Sequence, residues 1–185
     1  MPTINDPNGS PMGVMPNGFS LQYAAAMDMP AHAGDDGEAF SVMYAIDPNI
    51  AGDIIYIKNL SDKFLRIYHI KAHTDGTGGL FTVKTGVTGT PTTPTDVTPI
   101  NALVGSGNPA DGTFQINTTG ASLALTGGNT FDVLKFLTGI ENTWLMAGEL
   151  ALDKNQTMVI ANTVDPTAII YITIYFYFHD AIVKP

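Results

Sequence analysis

Between residues 168 and 179 apolar and amphipathic positions alternate without a break. Ile170, Ile172, Ile174, Phe176 and Phe178 fall on one side of that alternation, and Ile169, Tyr171, Thr173, Tyr175, Tyr177 and His179 on the other. A period of two in β-branched and aromatic residues predicts a long strand with two unlike faces. The isoleucine–phenylalanine face is a core wall. The tyrosine face has large apolar bodies with polar tips, which suits a surface that is part wet and part covered.

The same period recurs upstream. It predicts strands over 40–46, 53–59, 64–72, 80–85, 113–117, 144–152 and 156–161, separated by turn residues such as Asp47-Pro48, Asp75-Gly76, Asp111-Gly112 and Asp165-Pro166. The short link 60–63 makes 53–59 and 64–72 read as a β-hairpin. In 144–152, Trp144, Met146, Leu150 and Leu152 point one way, and Leu145, Ala147, Glu149 and Ala151 the other. Residues 131–137 fit either a short helix or a strand, and 100–104 and 121–125 read as brief extended pieces. The Thr- and Pro-rich run 85–99 bars a central strand and favours an exposed, extended edge. Strands with a turn every 8 to 12 residues and almost no helix predict an all-β fold. The expectation is a two-sheet antiparallel β-sandwich, jelly-roll-like, over residues 40–185.

Residues 1–39 have a different texture. Pro2, Pro7, Pro11, Pro16 and Pro30 punctuate them, with Asn8-Gly9 and Asn17-Gly18 as turn pairs. Ser20 is placed to cap a short helix over 21–27, where alanines dominate. This segment is read as an extended N-terminal arm that is either disordered or docks along a neighbour.

Composition narrows the function classes. The chain has 185 residues, of which 44% are hydrophobic and 14% charged, with a net charge of -9. The charged share is well below the roughly 25% of an average soluble protein, so much of the surface is Thr, Asn, Ser, Gly and apolar atoms. The eight Lys and Arg are scattered singly, which argues against direct nucleic-acid binding, where clustered cations displace counterions. Cysteine is absent, so a disulfide framework and thiolate chemistry are excluded. No basic-then-apolar leader opens the sequence, and the apolar run of the final strand is too short to span a membrane as a helix. These features lead us to expect synthesis in a bacterial cytoplasm.

Candidate chemistry is sparse. His69 and His73 share a strand face but lie about 13 Å apart along it, too far for one zinc ion. His32 and His179 have no companion ligand in sequence. Asp35, Asp36 and Glu38, or Asp75, offer hard oxygens for calcium, but without EF-hand spacing they read as a solvated acidic loop. No Gly-x-Ser-x-Gly elbow or phosphate-binding loop occurs. The carboxylates sit mostly at turns, where local hydrogen bonding explains them. The expectation is a protein that is not an enzyme and holds no metal or cofactor.

Tyr171, Tyr175 and Tyr177 remain as candidate interface residues. Such a stripe is met most simply by burial against another chain or the arm, and alternatively by stacking on sugars. The succession Asp53 to Asp62 with Phe64 to Tyr68, then Thr98 to Asn101 with Gly105 to Asn108, then the aromatic final strand, resembles minor virion proteins of tailed bacteriophages, sandwich components that decorate heads or join collars and tails. The resemblance covers residues 40–180 as an order of elements and carries no site motif. It implies a structural, non-enzymatic role in the repeated symmetric assembly of a virion, with major capsid or other virion proteins as partners. Burial of apolar sheet faces against copies of the chain separately leads us to expect a homo-oligomer such as a trimer. The rival reading is a carbohydrate-binding module or adhesin using the tyrosine-lined face.

Overall fold

The structure is a computed structural model and describes residues 4–5, 11–12, 36–47, 51–74, 76, 78–117, 121–163 and 169–180. Among them there is no helix, and the alternating segments are strands. The chain begins with β1 (Ile4–Asn5) and β2 (Pro11–Met12), which pair with each other. The body follows: β3 (Ala39–Ile46), β4 (Gly52–Asn59), β5 (Phe64–Thr74), β6 (Gly79–Thr88), β7 (Thr95–Asp96), β8 (Ile100–Asn101), β9 (Gly112–Ile116), β10 (Thr126–Phe136), β11 (Asn142–Leu152), β12 (Thr157–Asn162) and β13 (Ile170–His179). The helix expected over 21–27 lies outside the described residues. Residues 131–137, ambiguous in sequence, belong mostly to strand β10.

Two antiparallel sheets carry the body. One has the order β10-β6-β12-β4-β9-β7 and the other β11-β5-β13-β3-β8. The pairings have a simple logic: β3 pairs with β13, β4 with β12, β5 with β11 and β6 with β10. Four strands thus meet four later ones in reverse order, as in one long antiparallel ribbon. Successive strands of each half alternate between the sheets, so the ribbon is rolled up on itself.

The two inner faces close on a core of the residues that the period of two assigns to it. Ile170, Ile172, Ile174, Phe176 and Phe178 of β13 are all buried there. Phe176 stacks on Phe40 of its own sheet (ring centroids 5.5 Å) and on Phe114 of the facing sheet (5.0 Å). Phe81 stacks on Phe136 at 4.2 Å and meets Trp144 edge-on, which closes the opposite side. Offset and edge-on ring pairs of this kind add to the area they bury.

The hairpin expected for 53–59 and 64–72 is not one. β4 and β5 lie in different sheets, and the link between them arches over the end of the core. Fully buried Asn59 fixes the arch. Its amide donates to the Lys63 carbonyl (2.7 Å) and the Leu152 carbonyl (2.9 Å), and its side-chain oxygen accepts from Ser61 N–H (3.0 Å). Turn residues mark where a chain reverses, but pairing is decided by where each apolar face finds cover. Here both strands find it across the core.

Residues 121–125 do not form a strand. They lie on the outer face of the six-stranded sheet, where Leu123 and Leu125 pack on Tyr56, Val87 and Val159 in a second small core. Asp53 holds them there. Its carboxylate takes Lys84 Nζ at 3.1 Å and Leu125 N–H at 3.2 Å, and its carbonyl takes Leu123 N–H at 2.8 Å. With that cover in place, every residue of β12 is buried.

Candidate functional site

The outer face of the five-stranded sheet is built differently. No described segment lies across it, and its side chains come from β8, β3, β13, β5 and β11 in that order. Met43 is 63% exposed, Leu145 68% and Ile100 71%, with Ile169 and Tyr171 also open to solvent. One sheet face therefore presents a broad apolar and aromatic surface.

The candidate tyrosines divide along β13. Tyr171 is 44% exposed at one end, Tyr175 is half-buried in the middle, and Tyr177 is only 4% exposed at the other end. Tyr177 sits beside Arg66 and Tyr68, and burial pushes its phenol above the ordinary value. The stripe is thus graded, open near Tyr171 and closed near Tyr177.

A bulge explains the closed end. Tyr175 of β13 pairs with His69 and Phe176 with Ile67, which leaves Tyr68 as an extra residue in β5. The pairing with β11 breaks at the same place, between Leu145 opposite His69 and Leu150 opposite Ile67. A bulge interrupts the pleat and re-aims a side chain. The burial pattern shows the result: Leu65 and Ile67 are buried, then Ile70 and Ala72, with two half-buried residues between. Tyr68 and His69, neighbours in sequence, both come to the outer face.

There they make an aromatic cluster with β13. The His69 ring stacks on Tyr175 at 4.1 Å with 27° between planes, and Tyr68 meets His69 edge-on at 5.2 Å. Beside them lies a cavity of about 220 Å³, lined also by Ala39, Ser41, Ala102 and Tyr177 and floored by Phe40 and Phe176. Its lining is largely apolar, the character of a site that takes a ring or a hydrophobic side chain. Burial, and next the charge of Lys71, lower the His69 pKa from its ordinary value. Lys71 itself pairs with Glu141 at 3.0 Å, which raises its pKa.

The remaining candidates fall elsewhere. His69 and His73 share the outer face of β5, and no group of three or more metal-ligating side chains occurs among the described residues. Of the acidic loop, Glu38 is bound by Lys63, with Asp180 at 3.7 Å from the same ammonium; Asp35 and Asp75 lie outside the described residues. Sequence reasoning missed Tyr68 and His69 as partners of the tyrosines. The signal was present in Ile67-Tyr68-His69-Ile70, where two polar-tipped rings stand between apolar residues and the parity of the strand changes.

The fold and face together define an all-β sandwich in which residues 121–125 cover one sheet and no described segment lies across the outer face of the other. Comparison with protein-family models, curated proteins and solved structures finds no match to the chain.

Proposed function

We propose that this chain is a structural protein of a virion, one that decorates or stabilises a phage capsid or head–tail region through contacts of its N-terminal arm and a sheet face. The observation that carries the reading is the outer face of the five-stranded sheet, across which no described segment lies. Met43, Ile100, Leu145, Ile169 and Tyr171 all expose apolar area on it, and apolar area gathered on one face marks an interaction site. The rolled ribbon supports it too, because we read its strand order as jelly-roll-like, and jelly rolls are an architecture of viral capsid and lectin domains. A cyclic oligomer such as a trimer would bury the face against copies of the chain. Sedimentation of the native protein on a density gradient, with mass spectrometry of each fraction, tests the proposal. Migration with DNA-containing particles at fixed stoichiometry is expected, and a small species staying near the top of the gradient overturns it.

The stacked His69–Tyr175 pair beside an open cavity favours a second reading, a carbohydrate-binding module. Ring faces of this kind suit the apolar face of a sugar. Saturable glycan binding that disappears in Tyr175→Ala, in a protein that remains folded, would select it.

A further inference from the structure

We infer that the cavity beside Tyr68, His69 and Tyr175 is a binding site for one neutral aromatic ring. This rests on the reading of the outer face of the five-stranded sheet as a binding surface, and it names the chemistry that this recess takes.

The recess follows from the sizes of residues on neighbouring strands. In the pairing of β13 with β3, Tyr175 stands opposite Ser41 and Tyr177 opposite Ala39. Large rings beside small side chains leave space that neither strand fills, and the bulge brings Tyr68 to the same place. Ala102, just past β8, adds another small side chain at the far rim. Backbone bonds hold the walls. Ala102 N–H donates to the Ala39 carbonyl at 2.8 Å, and Phe178 N–H to the Glu38 carbonyl at 3.0 Å. Asn101 Nδ2 donates to the Gly37 carbonyl at 2.7 Å, and Asn101 Oδ1 accepts from Leu103 N–H at 2.8 Å. The recess is thus formed in advance, which removes an ordering cost that a ligand would otherwise meet.

Size and chemistry select the ligand. The cavity holds about 220 Å³, and an apolar cavity of roughly 150 Å³ already takes benzene, so a phenyl, phenol or indole ring fits. Among the described residues that line it, none carries a carboxylate, carboxamide, ammonium or guanidinium group. Burial, and next the charge of Lys71, lower the His69 pKa, so that imidazole is neutral at pH 7. A charged ligand would leave water here without a partner, which is costly. A pyranose would leave most of its hydroxyls unpaired, at a similar penalty. An aromatic ring meets the opposite case. Tyr68, His69, Tyr175 and Tyr177 surround it with rings of its own kind, and offset or edge-on pairs add to the area they bury. The same ring can come from a free small molecule or from a side chain of a partner, and the test separates the two.

The full chain is titrated with indole, cyclohexanol, methyl glucoside and N-acetyltryptophanamide, and backbone amides are followed by NMR. Indole should give saturable shifts at Ser41, His69 and Ala102. It should bind several-fold, up to about tenfold, more tightly than cyclohexanol, the range that ring pairing supplies. Ser41→Phe, which fills the recess from β3, and Ala102→Leu, which fills it from the rim, should each abolish those shifts while circular dichroism shows the strands intact. Tighter binding of N-acetyltryptophanamide than of indole assigns the site to a partner's side chain, and the reverse to a free aromatic molecule. No saturable shift, equal binding of indole and cyclohexanol, or tighter binding of the glucoside at the same amides overturns the inference. So do shifts that persist in both filled variants. These readouts do not involve particles, so the ring site can fail while particle association stands, and the reverse.

Discussion

Tyr44 places its ring fully inside the core, and its hydroxyl has no hydrogen-bond partner among the described residues. Burial accordingly pushes the phenol far above its ordinary range. A buried hydroxyl without a partner costs about 1 to 3 kcal/mol of desolvation. Tyr44→Phe should therefore leave stability unchanged or raise it by about 1 kcal/mol, read from urea unfolding; a clear loss would show that the hydroxyl is satisfied in solution. His69 makes the opposite kind of prediction, one in pH. Its folded pKa is lowered, so the unfolded chain binds that proton more tightly. The resulting stability is present above the ordinary histidine value of about 6.5 and is lost as pH falls through it toward the folded value. His69→Gln should flatten the dependence of the urea midpoint on pH in that window, and NMR should place the wild-type His69 titration below the ordinary value. Such single-residue environments were only half legible in the sequence. The even-numbered positions of β13 follow from alternation alone. The burial of Tyr177 and the pairing of His69 with Tyr175 depend on the bulge at Tyr68, which changes a face assignment by one residue.

Elements were legible where their own apolar period decided them. β3, β9, β12 and β13 appear close to their expected bounds because each has a face that only a core can satisfy. The β4–β5 link shows the limit, since the residues of a tight turn are the same whether the strands it joins pair or part. In this chain Asn59 replaces the missing ladder with side-chain bonds, and no local pattern announces that. The cover strip 121–125 was likewise hidden, because its anchor, Asp53, is nearly seventy residues away in sequence. That anchor yields a prediction at the scale of the element. Asp53→Ala removes the partner of Lys84 and the acceptor of Leu125 N–H, and should destabilise the body by about 2 kcal/mol. The loss should appear with faster hydrogen exchange at residues 121–125. Unchanged exchange there would mean that the leucines alone seat the strip.

For the whole molecule, the described body begins at Asp36. Gly37 and Glu38 belong to the body by their contacts, since Glu38 pairs with Lys63 and its carbonyl takes Phe178 N–H at 3.0 Å. Deleting residues 1–35 should abolish incorporation into particles while leaving the sandwich folded, checked by sedimentation and circular dichroism. A truncated protein that still incorporates removes the arm from the interaction and leaves it to the sheet face. The sandwich class was readable from the spacing of strands and turns, whereas the face that matters emerged only when five strands were set side by side. The rolled ribbon has one more consequence, in the order of synthesis. β13 lies between β3 and β5, yet it leaves the ribosome after both of them. Until it arrives, those two strands have an unfilled slot between them and the core has no central wall. Non-local pairing of this kind folds slowly, so the nascent chain must hold exposed strand edges apart until its aromatic keystone emerges.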